Sequence, residues 1–163
     1  MYDDKFLDAV ETVLKHEGGY VWDKVDLGGE TNFGISKRSY PNEDIKNMTR
    51  DRAIKIYFDD YWKRGGYDKI DDVDVSAKVF DASINMGRKR ANKLLQKALN
   101  HMGESLVVDG IIGQYTLATC NKCNNIILLD KYKDEMMYFY NKIIRKNPAM
   151  SKYRNGWAKR AYS

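Results

Sequence analysis

Residues 16–35 read HEGGYVWDKVDLGGETNFGI, a stretch that mixes acids, two glycine pairs and large aromatics without a proline. Glu17 stands just before Gly18-Gly19, Asp26 follows nine residues later, and Thr31 five residues after that. A carboxyl in a partly apolar setting keeps its proton near neutrality, which is what a general acid needs to protonate a glycosidic oxygen. A second carboxylate and a hydroxyl across a cleft can hold and activate a water, the other half of glycoside hydrolysis. Glycine pairs let a ligand come close to the backbone, here at Gly19. The alternative for Asp23 and Glu30 is a solvated or turn-forming carboxylate.

Other chemistries fit less well. Cys120 and Cys123 have the spacing of half a zinc site, but no second cysteine pair or paired histidine follows, and packing is the better reading. No metal and no cofactor is expected. His16 and His101 are the only histidines, and no GxSxG motif accompanies them. Neither glycine pair continues into the GK[ST] of a phosphate loop.

The elements that must position these residues are mostly helical. Phe6, Leu7, Val10, Val13 and Leu14 predict one buried face of a helix over residues 3–16, ending at Glu17 with Gly18 as its cap. Residues 19–35 predict a small irregular hairpin or sheet. Thr49 caps a helix reaching about Lys63, closed by Gly65-Gly66. Two helical patterns, 75–86 and 89–102, join at Gly87, and VVDGIIGQYT turns into another. Asn124 caps a long helix that buries Ile127, Leu128, Tyr132, Met136, Tyr140 and Ile143, and a short helix covers about 149–161. The expected class is mainly α (α+β): a helical bundle with one small β element after the first helix.

A chain of 163 residues suits a single domain with a real core. No run of about 18 apolar residues predicts a spanning helix. The acidic start MYDDKFLDAVETV lacks the pattern of a signal peptide, and with the two cysteines predicts synthesis and initial retention in the cytoplasm. Charge is uneven: residues 1–87 hold 13 Lys and Arg against 18 Asp and Glu, and residues 88–163 hold 15 against 5. A second half at +10 suggests an anionic partner (nucleic acid, a lipid surface or a cell-wall polymer) or else solvated helix faces.

The spacing from Glu17 to Asp26 and on to Thr31 resembles the Glu–Asp–Thr arrangement of phage-type lysozymes, with Thr31 one residue closer. The EGGY at 17–20 and the following D-x-GG-x-TNFGI resemble glycoside hydrolase family 108, the N-acetylmuramidases of phage endolysins and secretion-associated muramidases. FDASINMG at 80–87, VDGIIGQYTL at 108–117 and NGWAKR at 155–160 resemble further motifs of that family, in order along nearly the whole chain.

The resemblance implies a lysozyme-like fold, with 1–87 the catalytic part and 88–163 a peptidoglycan-binding part. It implies cleavage of the β-1,4 bond from N-acetylmuramic acid to N-acetylglucosamine, with a lytic transglycosylase acting on the same bond as the alternative. Carried over by position, Glu17 is the acid, and Asp26 and Thr31 position water. Gly19, Tyr20, Asn32 and Asn85 are expected at the substrate. Trp22 stacks on sugar or packs in the core, and Asn85 binds acetamido groups or ties two helices. Asp81 reads as structural, and Asp109 with Gly110 and Gly113 as a fixed turn.

The expected partner is peptidoglycan, met by a monomer whose basic half, Lys142, Arg145, Lys146, Lys152, Arg154, Lys159 and Arg160, is drawn to an anionic wall or outer membrane. A nucleic-acid-binding protein using Tyr138, Tyr140, Tyr153 and Trp157 leaves residues 17–31 unexplained, so no nucleic-acid partner is expected. Without a signal sequence, release to the wall through a holin-type pore or by lysis is the expected route.

Overall fold

Asp3 explains where the first helix begins. Its carboxylate accepts from the Phe6 amide at 2.8 Å and caps α1 (Asp4–His16). It also receives the Trp62 indole N–H at 3.2 Å, so one acid fixes both the helix start and a distant side chain. The computed structural model describes residues 1–23 and 29–163. These form two compact units that divide at Arg64 and Gly65. Together the elements are mainly α with one small antiparallel sheet after the first helix, the lysozyme-like class expected.

In the first unit, α1 buries Phe6, Ala9, Val10 and Val13. Leu7, expected inside, is 39% exposed, and Leu14 is half-buried. The inward stripe follows 6, 9, 10 and 13, which leaves residues 7 and 14 on its flank. Phe6 sits in a cluster with Tyr2, Phe58 and Trp62, its ring centroid 4.9 Å from Phe58 and 5.6 Å from Trp62. Such tilted and edge contacts add to the apolar burial. Thr49 caps α2 (Arg50–Ile56) by accepting from the Arg52 amide at 3.1 Å. From Tyr57 to Lys63 the helix continues as a π-helix. A π segment of this length is rare, and such widenings gather at functional sites.

Three short strands follow α1: β1 (Val21–Trp22), β2 (Glu30–Asn32) and β3 (Ile35–Ser36), antiparallel in that order. Val21 pairs with Thr31, and Thr31 with Ser36, so these three share one face. Asn32 and Ile35 pair on the other face and are buried.

The second unit is built on α3 (Val73–Met86), α4 (Arg88–His101) and α6 (Asn125–Lys146), which pack on one another. Asp72 caps α3 and Asn124 caps α6, the latter accepting from the Ile126 and Ile127 amides, both at 3.1 Å. Gly87, at φ 90°, makes the corner between α3 and α4. Helix α6 buries Leu128, Tyr132, Met136 and Tyr140 as expected, but Ile144 rather than Ile143, while Ile127 is 46% exposed. Ile127 lies off the buried face that begins at Leu128, and one residue of phase moves the last buried position to Ile144.

The turn before α5 (Gln114–Lys122) is fixed as expected. Asp109 Oδ1 accepts from the Ile111 amide and from Gln96 Nε2, both at 2.9 Å, and the Gly110 amide donates to Gln96 Oε1 at 2.9 Å. Gly110 has φ 79°, and a Cβ there would stand 2.9 Å from the Lys89 carbonyl oxygen. Cys120 is buried in α5, and burial pushes its thiol up to about 12, so it stays protonated and packs.

Helix α7 (Arg154–Tyr162) closes this unit after a 3-10 segment, Pro148–Tyr153. Trp157 stacks between Tyr140, at 4.9 Å, and Tyr153, at 5.5 Å. Arg160 forks onto Asp81 at 3.0 and 3.1 Å, with both side chains under 20% exposed. Asp81 is thus structural, as expected. Arg160, expected in the surface patch, is a strut of the fold instead. Lys78 donates to the Arg160 carbonyl at 2.6 Å, and burial pulls its ammonium down to about 8.

Candidate active site

Glu17 takes the C-cap position of α1, where its amide still donates to Val13 O at 2.9 Å. Its own backbone is extended (φ −84°, ψ 127°), so the chain leaves the helix there. The side chain is half-buried. It lies against the turn between β2 and β3: a Cβ built on Gly34 would fall 2.8 Å from both Cγ and Cδ of Glu17. The same point is 2.6 Å from the Tyr57 hydroxyl. Glu17, Gly34 and Tyr57 therefore crowd one spot where only a glycine fits.

That turn is strained. Phe33 has φ 51° and Gly34 φ 79°. A two-residue hairpin loop with both φ positive matches strand twist, and its first place normally goes to Asn, Asp or Gly. A bulky residue there costs about 1–2 kcal/mol. Tyr57 holds it by donating to the Phe33 carbonyl at 2.6 Å. The strained residue is thus pinned beside the carboxylate, a pattern that marks functional sites. Sequence reasoning did not single out Gly34 or Tyr57. The only signal for the first was the glycine inside TNFGI, and Tyr57 gave none.

The other expected residues fall as follows. Thr31 lies at the centre of the sheet, on the face with Val21 and Ser36. Asn32 is buried and donates its amide to the Ile45 carbonyl at 3.0 Å, tying the sheet to the following loop. Tyr20 is 37% exposed and donates to Glu30 Oε1 at 2.9 Å. Desolvation, and then the Glu30 carboxylate, hold its phenol above the ordinary value, which keeps the proton on that donor. Trp22 is 59% exposed, so of its two readings the core one is excluded. Gly18 and Gly19 are exposed with open space around them. Asp26 lies outside the described residues. Asn85 belongs to the second unit, where its Oδ1 accepts from Tyr140 at 2.6 Å and so ties α3 to α6.

Chemically, the first unit presents one half-buried carboxyl on a rigid helix end, backed by a pinned turn, with exposed aromatics and open glycines on the segment that follows it. Among the described residues no three His, Cys, Asp or Glu side chains gather as a metal-binding group.

Residues 10–87 match the family model for glycosyl hydrolase 108, and residues 90–162 that for a predicted peptidoglycan domain. The chain belongs to the glycosyl hydrolase 108 family. As a member with a peptidoglycan-binding part it is a glycoside hydrolase acting on peptidoglycan. The solved structure of Brucella abortus SagA is similar at 28% identity and a TM-score of 0.79, over 96% of this chain and 89% of that one. No curated protein matches the chain. The glycosyl hydrolase 108 segment contains the whole of the Glu17–Tyr57 arrangement. It also takes in α3, which by packing belongs with α4 and α6 in the second unit.

Proposed function

We propose that this glycosyl hydrolase 108 protein is an N-acetylmuramidase of the endolysin type, hydrolysing the β-1,4 bond between N-acetylmuramic acid and N-acetylglucosamine. The observation that carries this reading is the placement of Glu17. Its side chain leaves the end of α1 and lies against the Gly34 turn that Tyr57 holds, within the hydrolase segment. Glu17 gives its proton to the glycosidic oxygen as the bond to the muramic acid C1 breaks, and the N-acetylglucosamine leaves with that proton as its 4-hydroxyl. Water, held by Asp26 and Thr31, attacks C1 from the opposite face and gives a proton to Asp26. Tyr20 and Trp22 offer ring faces to sugar C–H surfaces, and Gly19 lets the glycan approach the backbone. Asn32 acts by holding the sheet to the loop at Ile45, and Asn85 by tying α3 to α6 within the second unit. The basic second half draws the enzyme to the anionic wall, where it lyses bacteria from within the envelope.

This mechanism is inverting, because water attacks C1 directly from the face opposite the leaving group. Asp26→Asn is expected to lower turnover about a hundredfold, as the loss of a general base does. Thr31→Ala removes one hydrogen bond to the water and is expected to cost about tenfold. NMR of freshly released sugars should show the inverted anomer. A retained anomer, or an Asp26→Asn protein with parent turnover, overturns the water-activating role.

A further inference from the structure

Helices α6 and α7 flank an open groove of about 660 Å³ in the second unit. Tyr138, Asn141 and Arg145 line it from α6, and Arg154, Asn155 and Ala158 from α7. Spacings of three and four put the α6 set on one helix face, and Ala158 lies four residues from Arg154 and three from Asn155 on α7. The stacking of Trp157 on Tyr140 joins the two walls. The volume lies in the range of ligand sites, roughly 300–1,000 Å³.

What the groove presents is unused by the fold. Among the described residues, the side chains of Arg145, Arg154, Asn141 and Asn155 make no hydrogen bond or ion pair with the protein. No Asp or Glu occurs after Glu135 in the sequence, so this segment carries no acid of its own. Arg160 is the contrast: it belongs to the same segment but is bound to Asp81. Arg145 lies over the Tyr138 ring, 5.7 Å from its centroid, which holds the guanidinium in place beside the groove.

Two planar guanidiniums call for carboxylates or phosphates, which they bind through paired N–H donors. Two side-chain amides supply the donor and acceptor pairs that backbone amides match. Nucleic acid fits poorly, since a single-strand track needs several open rings. Here Tyr140 is 1% exposed and Trp157 lies sandwiched between two tyrosines, which leaves Tyr138 as the open ring of the groove. In peptidoglycan the carboxylates beside amides are those of the peptide stems, not of the sugars.

We propose that the α6–α7 groove binds the carboxylate-bearing peptide stems of peptidoglycan. Arg145 and Arg154 take the carboxylates, and Asn141 and Asn155 the peptide groups between them. This rests on the reading of the chain as a wall hydrolase and places a second contact, apart from Glu17, on the same polymer.

The test is calorimetric and NMR titration of the full chain with a soluble stem peptide, L-alanyl-γ-D-glutamyl-meso-diaminopimelic acid, and with its fully amidated form. The acid form should shift amide signals of residues 137–158, and the amidated form should bind about tenfold or more weakly, as loss of charge-assisted hydrogen bonds implies. Arg145→Ala/Arg154→Ala should weaken the acid form by about tenfold or more. Arg145→Lys/Arg154→Lys, which keeps the charge but loses the fork, should fall between. Lys122→Ala/Lys131→Ala removes equal charge elsewhere on the unit and should bind like the parent.

Equal affinity for both peptides, shifts lying outside the groove, or tighter binding of a short oligonucleotide would overturn the proposal. None of these readings involves bond cleavage. A protein that cuts walls but ignores the peptide therefore refutes the groove alone, and one that binds the peptide but cuts nothing refutes the hydrolase reading alone.

Discussion

Glu17→Gln is expected to lower turnover on purified peptidoglycan at least about a hundredfold while leaving the protein folded and able to sediment with walls. Glutamine keeps the size and the hydrogen-bonding shape of the side chain, so its packing against Gly34 survives. It has no proton to give to the glycosidic oxygen, and the leaving sugar must then depart as an alkoxide. The substitution lies at the end of α1, where the capping bond from the Glu17 amide to Val13 O is made by backbone alone. Thermal unfolding should therefore change little. Turbidity clearance by Glu17→Gln at the parent rate would remove Glu17 from the chemistry.

Gly34→Ala is expected to be nearly as damaging, through position rather than through protons. The new methyl would stand 2.6 Å from the Tyr57 hydroxyl and 2.8 Å from Glu17 Cδ, closer than nonbonded atoms allow. Tyr57 does not yield freely, because it is tied to the Phe33 carbonyl, so the Glu17 side chain is the neighbour that gives way. The carboxyl must move, and a displacement of about 1 Å at a reacting group costs on the order of a hundredfold. The positive φ of 79° adds a strain of its own, about 1–2 kcal/mol for an alanine. Gly29→Ala separates the two effects. Gly29 also has a positive φ, 68°, but open space where the methyl would go. It should lose a similar amount of stability and keep far more activity. Equal activity in the two variants, or a Gly34→Ala protein with the parent rate, would show that the turn does not position Glu17.

Much of this architecture is legible in the sequence. Local rules were enough where the cause is local: Asp109 turns the chain by accepting from Ile111 two residues on, Asn124 caps α6 within three residues, and the first helix shows its stripe. The carboxylate at the helix end was legible for the same reason. What escaped depends on contacts distant in sequence. Phe33 adopts a left-handed conformation that its own chemistry disfavours, because Tyr57, 24 residues on, holds its carbonyl. Arg160 looked like surface charge until Asp81, 79 residues away, turned out to hold it. Trp157 reads from sequence as a ring open for stacking, yet it spends its face on Tyr140, which the helix pattern already places inside. Leu7 and Ile127 are apolar but fall outside the buried stripes, which periodicity alone resolves only to within a residue or so at each edge.

The most direct test of the central claim is mass spectrometry of purified peptidoglycan digested to completion by the protein. A muramidase releases disaccharide-peptides that end in reducing N-acetylmuramic acid, which borohydride converts to muramitol. That product is the result expected here, formed at least about a hundredfold more slowly by Glu17→Gln. Anhydro-muramic ends, which borohydride leaves untouched, would show a transglycosylase that uses no attacking water. Reducing N-acetylglucosamine ends would show cleavage of the other bond, and either product would contradict the account.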